Sequence, residues 1–260
     1  MSSILTKMMS ERLSDKYYYD DSDTIKELCE ELVKARNSCK VKQRLTLSTD
    51  ELYYALLLAG YEVDTNMIDN IASSTKIDFN SNLKVQFLIS GYIDAFKLAK
   101  LYNLNIDTKE KLYDIWKVLT AGSCSNIDIE GETWRSQNLD NPIRGEDFID
   151  IDKYMEELLV LYNKEPEDNV FLTAALICTI ISRVSPFCDG NARLARFMAL
   201  CYMIKNGVNE VLSLNISKVI YINKKEYFKT LCTTPTSRYN CTSHIECVLS
   251  LILKSYQNVK

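Results

Sequence analysis

Seven glycines and four prolines in 260 residues leave this chain almost without punctuation. Glycine supplies the positive-φ positions of tight turns and proline interrupts regular elements, so a chain poor in both makes few hairpins. Long helices are the alternative, and the apolar spacing agrees. In "SDTIKELCEELVKARN", residues 22–37, Ile25, Leu28, Cys29, Leu32 and Val33 recur at three- and four-residue intervals behind a Ser-Asp start. "STDELYYALLLAG" opens on a Ser-Thr-Asp cap and stops at Gly60. A short helix is expected over 65–75, and longer ones in "NLKVQFLISGYIDAFKLAKLY" and in "TKEKLYDIWKVLTAG", which closes at Gly122. Helices resume at "IDKYMEELLVLYN" and "NVFLTAALICTIISRV", then over Asn191 to Lys205, near Lys224 to Leu231, and from Thr242 to Tyr256. Residues 123–147 break the texture with two of the seven glycines and one of the four prolines, and a small β-hairpin is expected around Glu130-Gly131. The expected fold class is all-α, with an N-terminal helical region (1–105) layered on a core domain (106–260) and no flexible linker between them.

Composition excludes several function classes. A hydrophobic content of 47% and a charged content of 25% belong to a globular protein. A net charge of −4 and a pI near 5.3 argue against nucleic acid as the main partner, though they leave room for a local basic pocket. No segment reaches the roughly 18 apolar residues of a membrane span, and the N-terminus lacks the apolar core of a signal peptide. The nine cysteines contain no CxxC pair, which disfavours a disulfide framework and a zinc site. Cys178, Cys201 and Cys247 lie in apolar helical runs and read as small core residues. The expected compartment is the cytoplasm.

The chemistry concentrates in "SPFCDGNARLAR", residues 185–196. Asp189-Gly190-Asn191 is a turn signal, and Asn191 or Asp189 is placed to cap the helix that follows. A helix start presents free N–H groups and a positive dipole end, which suits phosphate. Arg193 and Arg196, three apart, project from one face of the first turns. Asp189 beside them suits magnesium, which favours one or two carboxylates plus phosphate oxygens. Gly190 lets a ligand approach the backbone closely. These features suit a polyphosphate site, although spacing alone favours a capped helix whose arginines pair with surface carboxylates.

The stretch resembles the signature of the Fic family of nucleotidyl transferases, HPFxxGNGRxxR, at Pro186, Phe187, Gly190, Asn191, Arg193 and Arg196. The likeness extends to "LYDIWKVLTAG", similar to the helix before the family's flap, and to "GETWRSQN", similar to the flap itself. "KKEYFKTL" resembles the tyrosine-bearing helix after the motif, and "NCTSHIECVLSLIL" the closing helix. It covers roughly residues 106–256 and implies the family's all-α fold with a small β-hairpin flap. "IASSTKIDFN", residues 71–80, weakly resembles an inhibitory helix carried N-terminally by one subclass, with Ser74 and Asp78 at its marked positions.

The resemblance implies transfer of AMP from ATP to a Ser, Thr or Tyr hydroxyl of a target protein, with Mg2+. It places Asp189 on the metal, and Asn191 and Arg193 on the phosphates. Arg196 falls on the γ-phosphate or on the inhibitory acid, with an Asp78–Arg196 ion pair expected. Phe187, Gly190, Ala192 and Tyr227 join the nucleotide-binding set. Thr133, Trp134, Arg135, Ser136, Gln137 and Asn138 form the flap that would align an unidentified target protein as an added strand. Oligomeric state is not specified, and a homodimer is compatible.

Two signature positions depart. Ser185 stands where the family has its histidine, and a serine hydroxyl does not accept a proton near neutral pH. Ala192 replaces a glycine, and its methyl group would crowd the phosphates if the backbone there required positive φ. The single histidine, His244, lies away from the motif. Three readings follow: an AMP-transferring enzyme weakened by Ser185, a pseudoenzyme that binds nucleotide or a partner, and a helical interaction domain with a vestigial site.

Overall fold

The computed structural model describes residues 17–74, 82–123, 134–138, 150–164, 169–232 and 239–259. Eleven α-helices occur among them: α1 Asp23–Ser38, α2 Thr49–Leu58, α3 Thr65–Ser74, α4 Leu83–Leu101, α5 Lys109–Leu119, α6 Ile151–Asn163, α7 Val170–Val184, α8 Asn191–Lys205, α9 Ile216–Ile222, α10 Lys224–Leu231 and α11 Thr242–Gln257. The helical class expected from the missing glycine and proline is what the chain adopts. Strand structure among the described residues is confined to β1 (Tyr17–Tyr18) and β2 (Tyr239–Asn240), a parallel pair of two residues each. The expected hairpin around Glu130-Gly131 lies outside the described residues.

Local chemistry sets the helix ends. The side-chain oxygens of Ser22, Ser48, Asn82, Thr108 and Asn169 each accept from an amide of the first turn, satisfying donors that no helical carbonyl can reach. At the end of α2, Gly60 takes φ +84; its amide donates to Leu57 O and that of Tyr61 to Leu56 O, the paired bonds of a glycine-terminated helix.

The helical hairpin α7–α8 forms the centre, and every residue of α7 is buried. That explains its near-continuous apolar sequence: a helix enclosed on all sides has no polar face. α11 packs on α7, and α1 covers α11; α6 lies against α7; α4 pairs with α5; and α9 bridges α2 and α11. One hydrophobic cluster runs from Tyr19 to Tyr256 and includes residues of α1, α2 and α4 with those of the later helices. The N-terminal segment is also clipped to the start of α11, where Cys241 N donates to Tyr18 O (2.8 Å), Asp20 N to Thr242 Oγ1 (2.8 Å) and Ser22 Oγ to Glu246 Oε1 (2.7 Å).

The helix α9 had no sequence signal, for a physical reason. Seven residues long and lacking a side-chain cap of its own, it borrows one from α2. Glu51 Oε2 accepts from Ser217 N (3.0 Å), and Glu51 Oε1 from Ser217 Oγ (2.5 Å). A cap delivered from 166 residues away cannot be read locally.

Candidate functional site

The loop 185–190 joins the two central helices, and its backbone groups are held from several sides. Ser185 ends α7 in left-handed backbone (φ 48°, ψ 64°) and its hydroxyl donates to Ser182 O (2.9 Å). The carbonyls of Val184, Ser185 and Pro186 all accept from Arg135. Asn191 folds its carboxamide back on Phe187, accepting from its N (2.9 Å) and donating to its O (2.7 Å). Trp116 Nε1 donates to Asp189 O (2.8 Å), and Gly190 N donates to Asp189 Oδ1 (2.6 Å). The Phe187 ring stacks on Trp116 (4.1 Å between centroids, 9° between planes) and touches Trp134, which pins the loop to α5.

With the loop so fixed, α8 begins without a side-chain cap. Its first helical bond runs from Leu194 N to Gly190 O (2.9 Å), so the amides of Asn191, Ala192 and Arg193 have no helical acceptor. They belong to the wall of a cavity of about 460 Å³ closed by Leu58, Ala59 and Tyr61 at the end of α2 and by Phe228, Leu231 and Cys232 at the end of α10.

Two guanidinium groups border this cavity and both are buried, Arg193 to 3% exposure and Arg196 to 7%. Arg193 Nη2 donates to Ser123 Oγ (2.6 Å) and reaches Asp189 Oδ2 (3.4 Å), while its Nη1 has no hydrogen-bond partner among the described residues. The Arg196 charge lies near the Tyr227 hydroxyl, and its Nε and Nη1 have no hydrogen-bond partner among the described residues. On its far side Arg196 faces Glu51 across a small gap of about 40 Å³. Burial holds the Glu51 carboxyl above its ordinary range, against the opposing pull of the Ser217 hydrogen bonds and the Arg196 charge. Buried cations are costly unless compensated, and an anion in the cavity would offset the charge of both arginines on its wall. Asp189, also on the wall, has a side chain 55% exposed and can offer Oδ2 to a cation. Among the described residues no cluster of three or more His, Cys, Asp or Glu could hold a metal unaided. A divalent ion here would complete its shell with phosphate oxygens and water, as magnesium commonly does.

Residues 110–203 match the model of the Fic/DOC family. The chain contains a Fic domain. Among solved structures, it is similar to a Fic family protein from Desulfovibrio desulfuricans G20, with a TM-score of 0.75 and 14% identity over 92% of this chain and 75% of that one. Fic-1 from C. elegans gives a TM-score of 0.71 at 13% identity, covering 90% of this chain and 71% of that one. A Fic-domain signalling protein from Bacteroides thetaiotaomicron VPI-5482 gives 0.57 at 14%, covering 91% and 95%. At these identities the likeness shows the fold alone. No curated protein matches the chain.

Within the Fic domain, Ser185, Asp189, Gly190, Asn191, Ala192, Arg193 and Arg196 all line the one cavity. Several of these residues also make contacts that the signature does not specify. Neither Asn191 nor Asp189 caps the amides of the first turn of α8. The Asn191 carboxamide is engaged by the Phe187 backbone and so positions the loop, while Asn191 itself lies on the cavity wall. Phe187 belongs to an aromatic cluster instead of the cavity wall, and Tyr227 is fully buried with its hydroxyl on Cys178 Sγ (3.5 Å) while its neighbour Phe228 reaches the cavity. Gly190 has φ +76, and an added Cβ would overlap the Thr120 methyl; the glycine serves the loop's seat against α5 as much as any ligand. Ala192 lies in regular helix and needs no glycine freedom.

In the flap, Trp134 and Arg135 are buried and only Ser136, Gln137 and Asn138 are exposed; Thr133 lies outside the described residues. Ser74 is the last residue of α3, while Asp78, and with it the expected Asp78–Arg196 pair, lies outside the described residues. Ser123, Tyr61, Glu51 and Trp116 escaped sequence reading because only the fold brings them to the motif. His244 is buried inside, its Nδ1 2.9 Å from Thr230 Oγ1, and does not replace the missing base. Among the described residues no helix is long and apolar enough to cross a membrane.

Proposed function

We propose that this Fic domain binds ATP with Mg2+ in the cavity at the start of α8 and transfers AMP to a protein hydroxyl slowly, for want of a proton acceptor. The observation that carries the binding half is the pair of buried guanidinium groups with unpartnered N–H groups on the wall of a cavity that also receives an uncapped helix start. The amides of Asn191 to Arg193 and Arg193 Nη1 would hold phosphate oxygens, with Arg196 deeper in the wall. Asp189 would hold the cation, which supplies charge neutralisation when bound. In transfer, the target oxygen bonds to the α-phosphorus as the bond to pyrophosphate breaks, and the hydroxyl proton passes to solvent water, a poor acceptor that makes the step slow. Ser185 does not take it: its own hydroxyl is already a donor to Ser182 O. General base catalysis is worth about 10²–10⁴-fold, whereas positioning and charge stabilisation carry most of phosphoryl transfer. The exposed strip Ser136–Asn138 would be what is left of the flap for a target segment. The same Ser185 bond favours a second reading, a pseudoenzyme acting by nucleotide or partner occupancy alone.

ATP labelled at the α-phosphate separates the two. The wild type with Mg2+ is expected to label itself or a lysate protein faintly, and Ser185→His to raise the signal by about 10²-fold or more. A dark Ser185→His variant that still binds ATP overturns the transferase reading in favour of the binder.

A further inference from the structure

We propose that Arg135 is a positioning residue of this site, holding the motif loop in a strained backbone that sets how α8 opens onto the cavity. The second readout below rests on the nucleotide reading; the first does not.

The argument begins at Ser185. Left-handed backbone is costly for any residue with a Cβ, and the residue before a proline is pushed away from α-type conformations towards extended ones. Ser185, at φ 48° and ψ 64° and followed by Pro186, bears both penalties. Left alone, the chain would relax to an extended conformation there and swing Phe187 and the start of α8 out of place. Something must hold it.

Arg135 is placed to do so. Its Nε donates to Ser185 O (2.8 Å), its Nη2 to Val184 O (3.3 Å) and its backbone amide to Pro186 O (2.9 Å). One residue thus gathers three consecutive carbonyls on both sides of the strained bond. Nη1 closes the flap back on itself through Gln137 O (2.7 Å). The guanidinium also sits at the C-terminal end of α7, where a cation is favoured by the helix dipole. At 8% exposure these bonds compete little with water. The residue itself is anchored through Trp134, which packs on Phe187 and donates from Nε1 to Asp152 on α6. The Ser185 hydroxyl bond to Ser182 O is a second and weaker tie. Beyond Phe187 the loop is held by Asn191 and Trp116, so releasing Arg135 frees the half that includes the signature serine.

A lysine keeps the charge and loses the fork of planar donors. In Arg135→Lys, hydrogen exchange at the bonded amides of Ser185 and Phe187 is expected to quicken on the order of tenfold, while α11 keeps its protection, and ATP affinity by calorimetry to weaken about tenfold. Ser185→Gly removes the Cβ that makes the conformation costly. In that background the same Arg135→Lys change should lose less than half as much in both readouts. A merely structural role would instead quicken exchange across the whole chain, and with equal losses in the two backgrounds; either result overturns the proposal, as does an Arg135→Lys protein indistinguishable from wild type. If the wild type gives no ATP heat, the nucleotide reading fails and the exchange comparison still decides on Arg135.

Discussion

At the scale of single residues, the protein's one histidine tests how far burial governs its chemistry. His244 is 1% exposed, and burial, reinforced by the nearby charge of Arg183, pushes its imidazole down from about 6.5 to about 3. The folded protein therefore refuses a proton that the unfolded chain accepts between those values. Unfolding takes up that proton, so stability falls as pH is lowered through the window and is unaffected by this group above it. Between about pH 7 and about pH 5 the loss attributable to His244 is about 2 kcal/mol. Urea melts of wild type and His244→Gln at the two pH values should differ in their acid sensitivity by that amount; equal sensitivity would contradict a buried neutral imidazole. Residues of this kind also mark what could be read beforehand. Asp189, Arg193 and Arg196 were legible as a cavity-facing set because three-residue spacing on a helix start fixes their direction. The carboxamide of Asn191 was not, because whether it meets phosphate or the Phe187 backbone depends on a turn whose path is set by Arg135 and Trp116, both distant in sequence.

Among the elements, the long helices were legible because their apolar periods and Ser, Thr or Asn caps are local. The helix α9 was not, since Glu51 caps it from α2. The division at residue 105 followed the order of helices along the sequence, and packing crosses that position: α1 lies on α11 and α9 on α2. Leu32, fully buried on α1, therefore belongs to the same core as the motif-bearing hairpin. Leu32→Ala is expected to cost about 3 kcal/mol. Both of the chain's tryptophans, Trp116 and Trp134, sit beside the motif loop. Their fluorescence should thus report the same lowered urea midpoint as the far-ultraviolet helix signal. A tryptophan transition left at the wild-type midpoint would mean that the N-terminal layer unfolds on its own.

Over the whole molecule, the acidic balance and the cationic cavity are complementary facts. A chain of net charge −4 repels polyanions in general, yet one cavity concentrates Arg193, Arg196 and the positive end of α8. The fold spends its central helical hairpin on presenting that place, with aromatic packing, Arg135 and Asn191 fixing the loop between. The most direct test is titration calorimetry of the folded protein with ATP and Mg2+, beside Arg193→Gln. Saturable binding at one site, weakened at least about tenfold by the substitution, is the predicted result. Absence of heat in the wild type at millimolar ATP, or binding indifferent to Arg193→Gln, would contradict it.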